Sequence, residues 1–288
     1  QAKLFNIGGE GQALIGGLGV ALVCLYFPWP HWSLAILAAI AASALAGAAW
    51  AAIPAFLQAK RGSHIVITTI MFNFIAASVM NYLLSHVLRP PTSMDPATAR
   101  FSDNVRLPRL HDILDVVGIE FSRSGPANIM LFVALLACVL GYILMSRTRL
   151  GFEIRAFGQS ESGAHYAGIS GPKIIMIAML ISGALAGMMA VNSVMGGPQR
   201  LVMNAVEGAG FIGIAVALMG RSHPIGIIAP ALLFGFLYQG GSELALETSI
   251  PREMIVVIQA LVIMFTGALD NMVRMPLESL FSMLRRRA

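Results

Sequence analysis

Long uncharged runs separated by short polar breaks set the rhythm of this chain. Glu10 and Lys60 bracket a stretch, 11–59, with no Asp, Glu, Lys or Arg, and Phe27-Pro-Trp-Pro-His-Trp32 interrupts it. Prolines break helices, and tryptophans favour a membrane–water interface. Two spans follow from this, over 12–27 and 33–57, with Lys60-Arg61 in a turn. A third span is expected over 64–87, a fourth over 126–146 and a fifth over 174–195. Between Glu207 and Arg221 only 208–220 is uncharged, about 20 Å of helix at 1.5 Å per residue. That falls short of a hydrocarbon core of roughly 30 Å, so a short or broken helix is expected there, covered by protein. Further spans are expected over 222–242, opened by Pro224 and Gly226, and over 252–269.

Composition agrees with this pattern. The chain has 288 residues, of which 57% are hydrophobic and 11% charged, where soluble domains carry about 25% charged residues. The fold class is therefore all-α: a polytopic transmembrane protein with about eight spans, the short helix included. A transmembrane barrel would instead show alternating segments of about ten residues.

Formal net charge is +5. The basic residues flank spans, so the positive-inside rule accounts for them and no nucleic-acid partner is called for. Alternation from a cytoplasmic Lys60-Arg61 puts Arg147, Arg149, Arg155, Lys173, Arg221, Arg274 and Arg285-Arg286-Arg287 inside. Segment 88–125, with five Arg, five acidic residues and Pro90-Pro91, falls outside, as do Arg200 and Arg252. The C-terminus is then cytoplasmic. Cys24 and Cys138 lie in apolar runs and read as small hydrophobic residues.

No constellation for catalysis or metal binding stands out. The sequence has no Gly-x4-Gly-Lys-Ser/Thr loop for ATP and no His-Glu-x-x-His, and its six histidines are scattered. Neither enzymatic activity nor a resident metal or cofactor is expected of this chain. Polar residues at membrane depth draw more attention, because they are costly there. Asn6, Glu10 and Gln12 surround a Gly-rich break, Asn73 and Asn192 lie in spans, and Gln239 precedes Gly240-Gly241. Amides both donate and accept hydrogen bonds, which suits hydroxyl-rich solutes. The same side chains also join helices to one another. Both roles, lining a substrate path and helix packing, fit these six residues.

The basic island over 147–173 separates two uncharged runs. A short amphipathic helix is expected over 152–167, with Gly151 ahead of it, a turn at Gly158 and an end at Gly168. Phe152, Ile154, Phe157 and Tyr166 offer apolar contacts, and Glu153, Arg155 and Glu161 charged ones. Such a helix suits docking onto a soluble motor, or lying flat among lipid headgroups.

Thr148-x-x-Gly151-x-x-x-Arg155-Ala156-x-Gly158, followed by Ala164-x-x-Ala167-Gly168-Ile169, resembles the coupling loop of bacterial ABC importer permeases of the branched-chain amino acid, ribose and simple-sugar type. Asn6-Ile-Gly-Gly-Glu10-Gly-Gln12 and Thr68-Thr-Ile-Met-Phe-Asn73-Phe-Ile-Ala are similar to elements of the simple-sugar and nucleoside permeases. Ser182-Gly-Ala-Leu-Ala-Gly187, the stretch Gly213 to Arg221, His223-Pro-Ile-Gly226 and the stretch Leu233 to Gly241 extend the likeness in the family's order.

The resemblance implies an importer permease in the bacterial inner membrane, paired with a second and non-identical permease subunit. A cytoplasmic ATPase that binds ATP would drive it, and an extracytoplasmic binding protein would deliver a nucleoside or simple sugar. Gly151, Glu153, Arg155, Ala156, Gly158, Ala164, Ala167 and Gly168 would then form the ATPase-coupling element. The family carries spans ahead of the point where this sequence opens at Gln1, so an incomplete N-terminus is expected. The alternative class is an ion-coupled secondary transporter. That class favours a mid-span carboxylate or His relay, which the spans beyond Glu10 lack.

Overall fold

The structure is a computed structural model that describes residues 2–115, 127–247, 254–262 and 264–265. Most of the span expected over 252–269 beyond residue 262, the end of segment 88–125 and the terminal Arg285-Arg286-Arg287 lie outside the described residues. Those described form two compact units, Gln1–Ile212 and Gly213–Ala288.

In the first unit α1 covers Gly9–Tyr26, α2 Trp32–Arg61 and α3 Ile65–Tyr82, which runs on through a π-helical turn, Leu83–Val87. A short helix, α4, covers Leu110–Asp115, and α5 covers Met130–Arg147. Next come α6, Arg149–Gln159, and α7, Glu161–Tyr166. Helix α8, Gly171–Val191, also continues into a π-helical turn, Asn192–Gly196. Helix α9, Ala209–Met219, starts at the end of this unit. The second unit holds α10, Ile228–Glu247, and helical residues over 254–262.

Among the described residues five helices are long and apolar enough to cross a membrane: Gly9–Tyr26, Trp32–Arg61, Ile65–Val87, Met130–Arg147 and Gly171–Gly196. They match the first five expected spans to within a few residues; α10, which falls where the span over 222–242 is expected, is not among them. Between Glu207 and Arg221 the short helix is present, 11 residues long, but it is not covered as expected: Ala215 is its buried residue, while Phe211 and Leu218 are exposed. One boundary differs. Helix α10 begins at Ile228, not at 222, because Arg221 and Ser222 adopt left-handed φ of 52° and 53° in a turn that also holds Pro224 and Gly226.

Helices α1, α2 and α8 pack together through small residues. A Cβ on Gly16 would come within 2.6 Å of the Gly187 backbone, and one on Gly19 within 2.8 Å of the Ala42 carbonyl. Gly47 meets Gly183 and Gly187 backbone to backbone. The Gly183-x-x-x-Gly187 spacing thus places α8 directly against α2.

The two ends of this bundle differ in what closes them. At one end Phe101, Val105 and Leu107 join Val194, Met195 and Leu201 in the core, with Trp29 and Trp32 packed alongside. Segment 88–115 is tied down there. Thr98 N donates to Leu201 O at 2.9 Å, Phe101 N donates to Gln199 O at 2.8 Å, and Arg200 pairs with Asp95 at 3.5 Å. At the other end Ile154, Phe157, Ala164, Ile174 and Ile175 form a separate cluster, with Ala59, Met145, Leu4 and Ala2 against it.

Candidate functional site

Residues 6–8 precede α1 without helical structure, so the first N–H groups of the helix need partners from elsewhere. A side chain on α3 supplies one of them and also holds the segment ahead of the helix. Asn73 Oδ1 accepts from Gly11 N at 2.9 Å, and Asn73 Nδ2 donates to Ile7 O at 2.9 Å. Ile7 N donates to Thr69 Oγ1 at 3.3 Å. Asn6 Oδ1 accepts from Gly8 N at 2.9 Å, which closes a local turn.

The Asn6 and Gln12 amides pair face to face. Asn6 Nδ2 donates to Gln12 Oε1 at 3.0 Å, and Gln12 Nε2 donates to Asn6 Oδ1 at 3.2 Å. Asn6 Nδ2 also reaches Ser182 Oγ on α8 at 2.9 Å. Glu10 points towards α9: Gly208 N donates to its Oε1 at 2.9 Å and Gly210 N to its Oε2 at 2.8 Å. Glu10, Gln12, Thr69 and Asn73 are all buried.

Four of the six polar residues singled out in the sequence therefore converge: Asn6, Glu10, Gln12 and Asn73. Asn192 does not join them. It sits ten positions beyond Ser182, about 15 Å along the helix, and accepts from Asn128 Nδ2 at 2.8 Å. Asn128 Oδ1 in turn accepts from Met130 N at the start of α5. Gln239 lies in the second unit and donates to Glu243 Oε1 at 3.0 Å, an i,i+4 pair along α10.

Sequence reasoning missed Thr69 and Ser182 as members of the cluster. Thr69 lies one helical turn before Asn73 on the same face, a spacing that the sequence already carries. Nothing local marks Asn128.

The basic island folds as two helices, not one. The break falls at Ser160, and the glycines expected to flank and interrupt a single helix, Gly151 and Gly158, both lie inside α6. Caps explain this. Thr148 Oγ1 accepts from Gly151 N at 3.1 Å and starts α6, while Ser160 Oγ accepts from Gly163 N at 3.0 Å and starts α7. Gly168, at φ +77°, follows α7 as expected.

The pair is two-faced. Gly151, Ile154, Phe157, Gly158 and Ala164 turn inward, and a Cβ on Gly151 would strike the carbonyls of Leu144 and Met145. Phe152 is 60% exposed and Tyr166 93% exposed. Arg155 and Ala156 are half-buried, Ala167 and Gly168 are exposed, and Glu153 pairs with Arg149 at 2.8 Å. Of the eight residues assigned to coupling, Gly151, Gly158 and Ala164 hold the pair against the bundle. Among the described residues no group of three or more His, Cys, Asp or Glu is placed to hold a metal ion.

Among the described residues, five apolar helices long enough to cross a membrane, two of them joined by an amphipathic helix pair, define a multi-pass membrane protein. Residues 1–267 match the family described as branched-chain amino acid transport system, permease component, and the chain belongs to that family. It is similar to the guanosine ABC transporter permease protein NupP of Bacillus subtilis, 38% identical over 92% of this chain and 74% of that protein. The glucose ABC transporter permease protein TsgB13 of Haloferax volcanii is 35% identical over 92% of this chain and 69% of its own length. A second Bacillus subtilis guanosine permease, NupQ, is 28% identical over 88% of this chain and 78% of that protein. No solved structure matches the chain.

Proposed function

We propose that this permease works in a binding-protein-dependent ABC importer of the bacterial inner membrane and translocates a nucleoside. A simple sugar is the second candidate. The observation that carries the reading is the 38% identity to a guanosine permease across 92% of the chain, joined to a capped, two-faced helix pair at one end of the bundle.

In this reading α6 and α7 lie on the cytoplasmic face and dock a separate ATPase, which binds the ATP. Exposed Phe152 and Tyr166, with Arg155 and Glu161 beside them, form the contact. Segment 88–115 closes the opposite, extracytoplasmic end and receives the binding protein. A second, non-identical permease completes the pore, as the presence of two guanosine permeases in Bacillus subtilis suggests. The C-terminus is cytoplasmic. The substrate path passes the start of α1, where Asn6, Gln12 and Asn73 carry amides suited to ribose hydroxyls and Glu10 holds the wall. Asn192 is a second polar station along α8, and Gln239 a candidate on α10. No catalysis falls to this chain.

Uptake in proteoliposomes holding the permease pair, ATPase and binding protein tests the reading, with labelled guanosine and ribose compared. Saturable guanosine uptake that needs both ATP and the binding protein is the expected result. Ribose uptake in its place would move the substrate to the sugars. Uptake indifferent to ATP would overturn the importer assignment.

A further inference from the structure

We infer that residues 2–10 act as a strap that carries movement of the α6–α7 pair to the first turn of α9, with Glu10 as the positioning residue at its far end. This rests on the reading of the chain as an ATP-driven permease.

The strap is anchored at three points. At its start Ala2 and Leu4 pack into the cluster of Ile154, Phe157, Ala164, Ile174 and Ile175, the inward face of the helix pair. Its middle is held on both sides: Ile7 N donates to Thr69 and Ile7 O accepts from Asn73, while Asn6 reaches Ser182. At the far end the Glu10 carboxylate takes one backbone N–H from Gly208 and one from Gly210. Only four residues separate Leu4 from Gly9, the first residue of α1. At most about 3.6 Å per residue is available to extended chain, so the two anchors stay within a short reach of each other, and with Asn6 and Ile7 hydrogen-bonded between them displacement at Leu4 is passed on to α1.

The far end is built for this contact. Gly210 lies so close to the backbone of Glu10 that a Cβ would collide with it. Gly208 adopts φ +79°, and the turn before it holds two non-glycine residues in the left-handed region, Asn204 at φ 60° and Glu207 at φ 49°. Such conformations persist where surrounding structure imposes them. The carboxylate also neutralises the positive end of α9. These contacts join positions 198 and 200 apart in sequence, and both Glu10 oxygens are occupied by the protein itself. Glu10 thereby sets where α9 starts, and does so from the same segment that touches the helix pair.

Glu10→Gln and Leu4→Ala separate the two ends. The amide introduced by Glu10→Gln would keep one acceptor oxygen and present an NH2 to the second backbone N–H, so the latch fails while the shape is kept. In the assembled transporter in nanodiscs, backbone hydrogen exchange over 208–212 is read with and without a non-hydrolysable ATP analogue, beside ATP turnover and uptake. Glu10→Gln should raise exchange over 208–212 by about tenfold, the scale of one charge-assisted hydrogen bond, and lower uptake per ATP while the ATPase still turns over. Leu4→Ala should leave resting exchange unchanged but abolish the response to nucleotide. Wild-type uptake per ATP in Glu10→Gln, or an intact nucleotide response in Leu4→Ala, overturns the strap and leaves the importer reading standing. Wild-type uptake independent of ATP overturns both.

Discussion

Asn73 uses both ends of its amide to hold the segment ahead of α1, and this makes its replacement informative. Asn73→Leu leaves the Gly11 N–H and the Ile7 carbonyl without their partner, at a cost of about 1–3 kcal/mol for each group left buried. Thermal unfolding in detergent should show that loss. The exposed Asn81→Leu in the same helix should shift stability by no more than about 0.5 kcal/mol. Uptake normalised to folded protein then tells a wall from a path: wild-type uptake per folded molecule would mean that Asn73 only supports structure. Glycines give a second residue-scale outcome. A Cβ on Gly187 would run into the Ser43 carbonyl and approach Gly47. Gly187→Val should therefore destabilise the α2–α8 contact by about 1–3 kcal/mol or more, seen as loss of folded protein in the membrane. The sequence shows Gly183-x-x-x-Gly187 as a packing surface but does not name its partner. That partner, Gly47 and Ser43 on α2, is fixed only by the three-dimensional crossing.

At the scale of elements, caps decide more than glycines do. The spacing of glycines in the basic island suggests one helix with a turn at Gly158; Thr148 and Ser160 instead divide the segment into α6 and α7. Both cap residues stand in the sequence, each with a small residue three positions later, so the information is local, and a hydroxyl cap outweighs a glycine that the helix can absorb. For α10 the reverse holds: its late start follows from left-handed Arg221 and Ser222, a conformation that no local rule assigns to those residue types. Ser160→Ala should cost about 1 kcal/mol in the α7 cap and loosen the pair, visible as faster hydrogen exchange over 161–166. A stronger change acts on the proposed docking face. Arg155→Glu combined with Gly158→Pro reverses a charge and places proline inside α6, where it costs about 3 kcal/mol. The double variant should reach the membrane but lose ATPase association and ATP-driven uptake. Normal ATP-driven uptake by it would show that the ATPase docks elsewhere.

For the whole molecule, the five spans are legible because long apolar runs and charge breaks are one-dimensional signals. The convergence of Asn6, Glu10, Gln12 and Asn73 is not, since it depends on which helices cross near Gly9. Orientation lies between these cases. The structure gathers Ala59, Met145, Leu150, Ile154 and Ile174 at one end, which brings Lys60, Arg61, Arg147, Arg149, Arg155 and Lys173 to that end with few acidic neighbours. The other end carries Arg89, Arg100, Arg106 and Arg109 among Asp95, Asp103, Asp112 and Asp115. An excess of Lys and Arg marks the cytoplasmic side, so the two ends should differ in reach for a membrane-impermeant maleimide. With Cys24 and Cys138 replaced by alanine, Ser102→Cys should label in intact spheroplasts. Arg61→Cys and Ser162→Cys, both exposed positions, should label only after the membrane is opened. Labelling of Ser162→Cys from outside would invert the molecule and detach the helix pair from any cytoplasmic ATPase. Labelling of Arg61→Cys and Ser162→Cys from different sides would contradict the bundle itself, because the packing of Ala59 against the Ile154–Phe157 cluster requires both at one end.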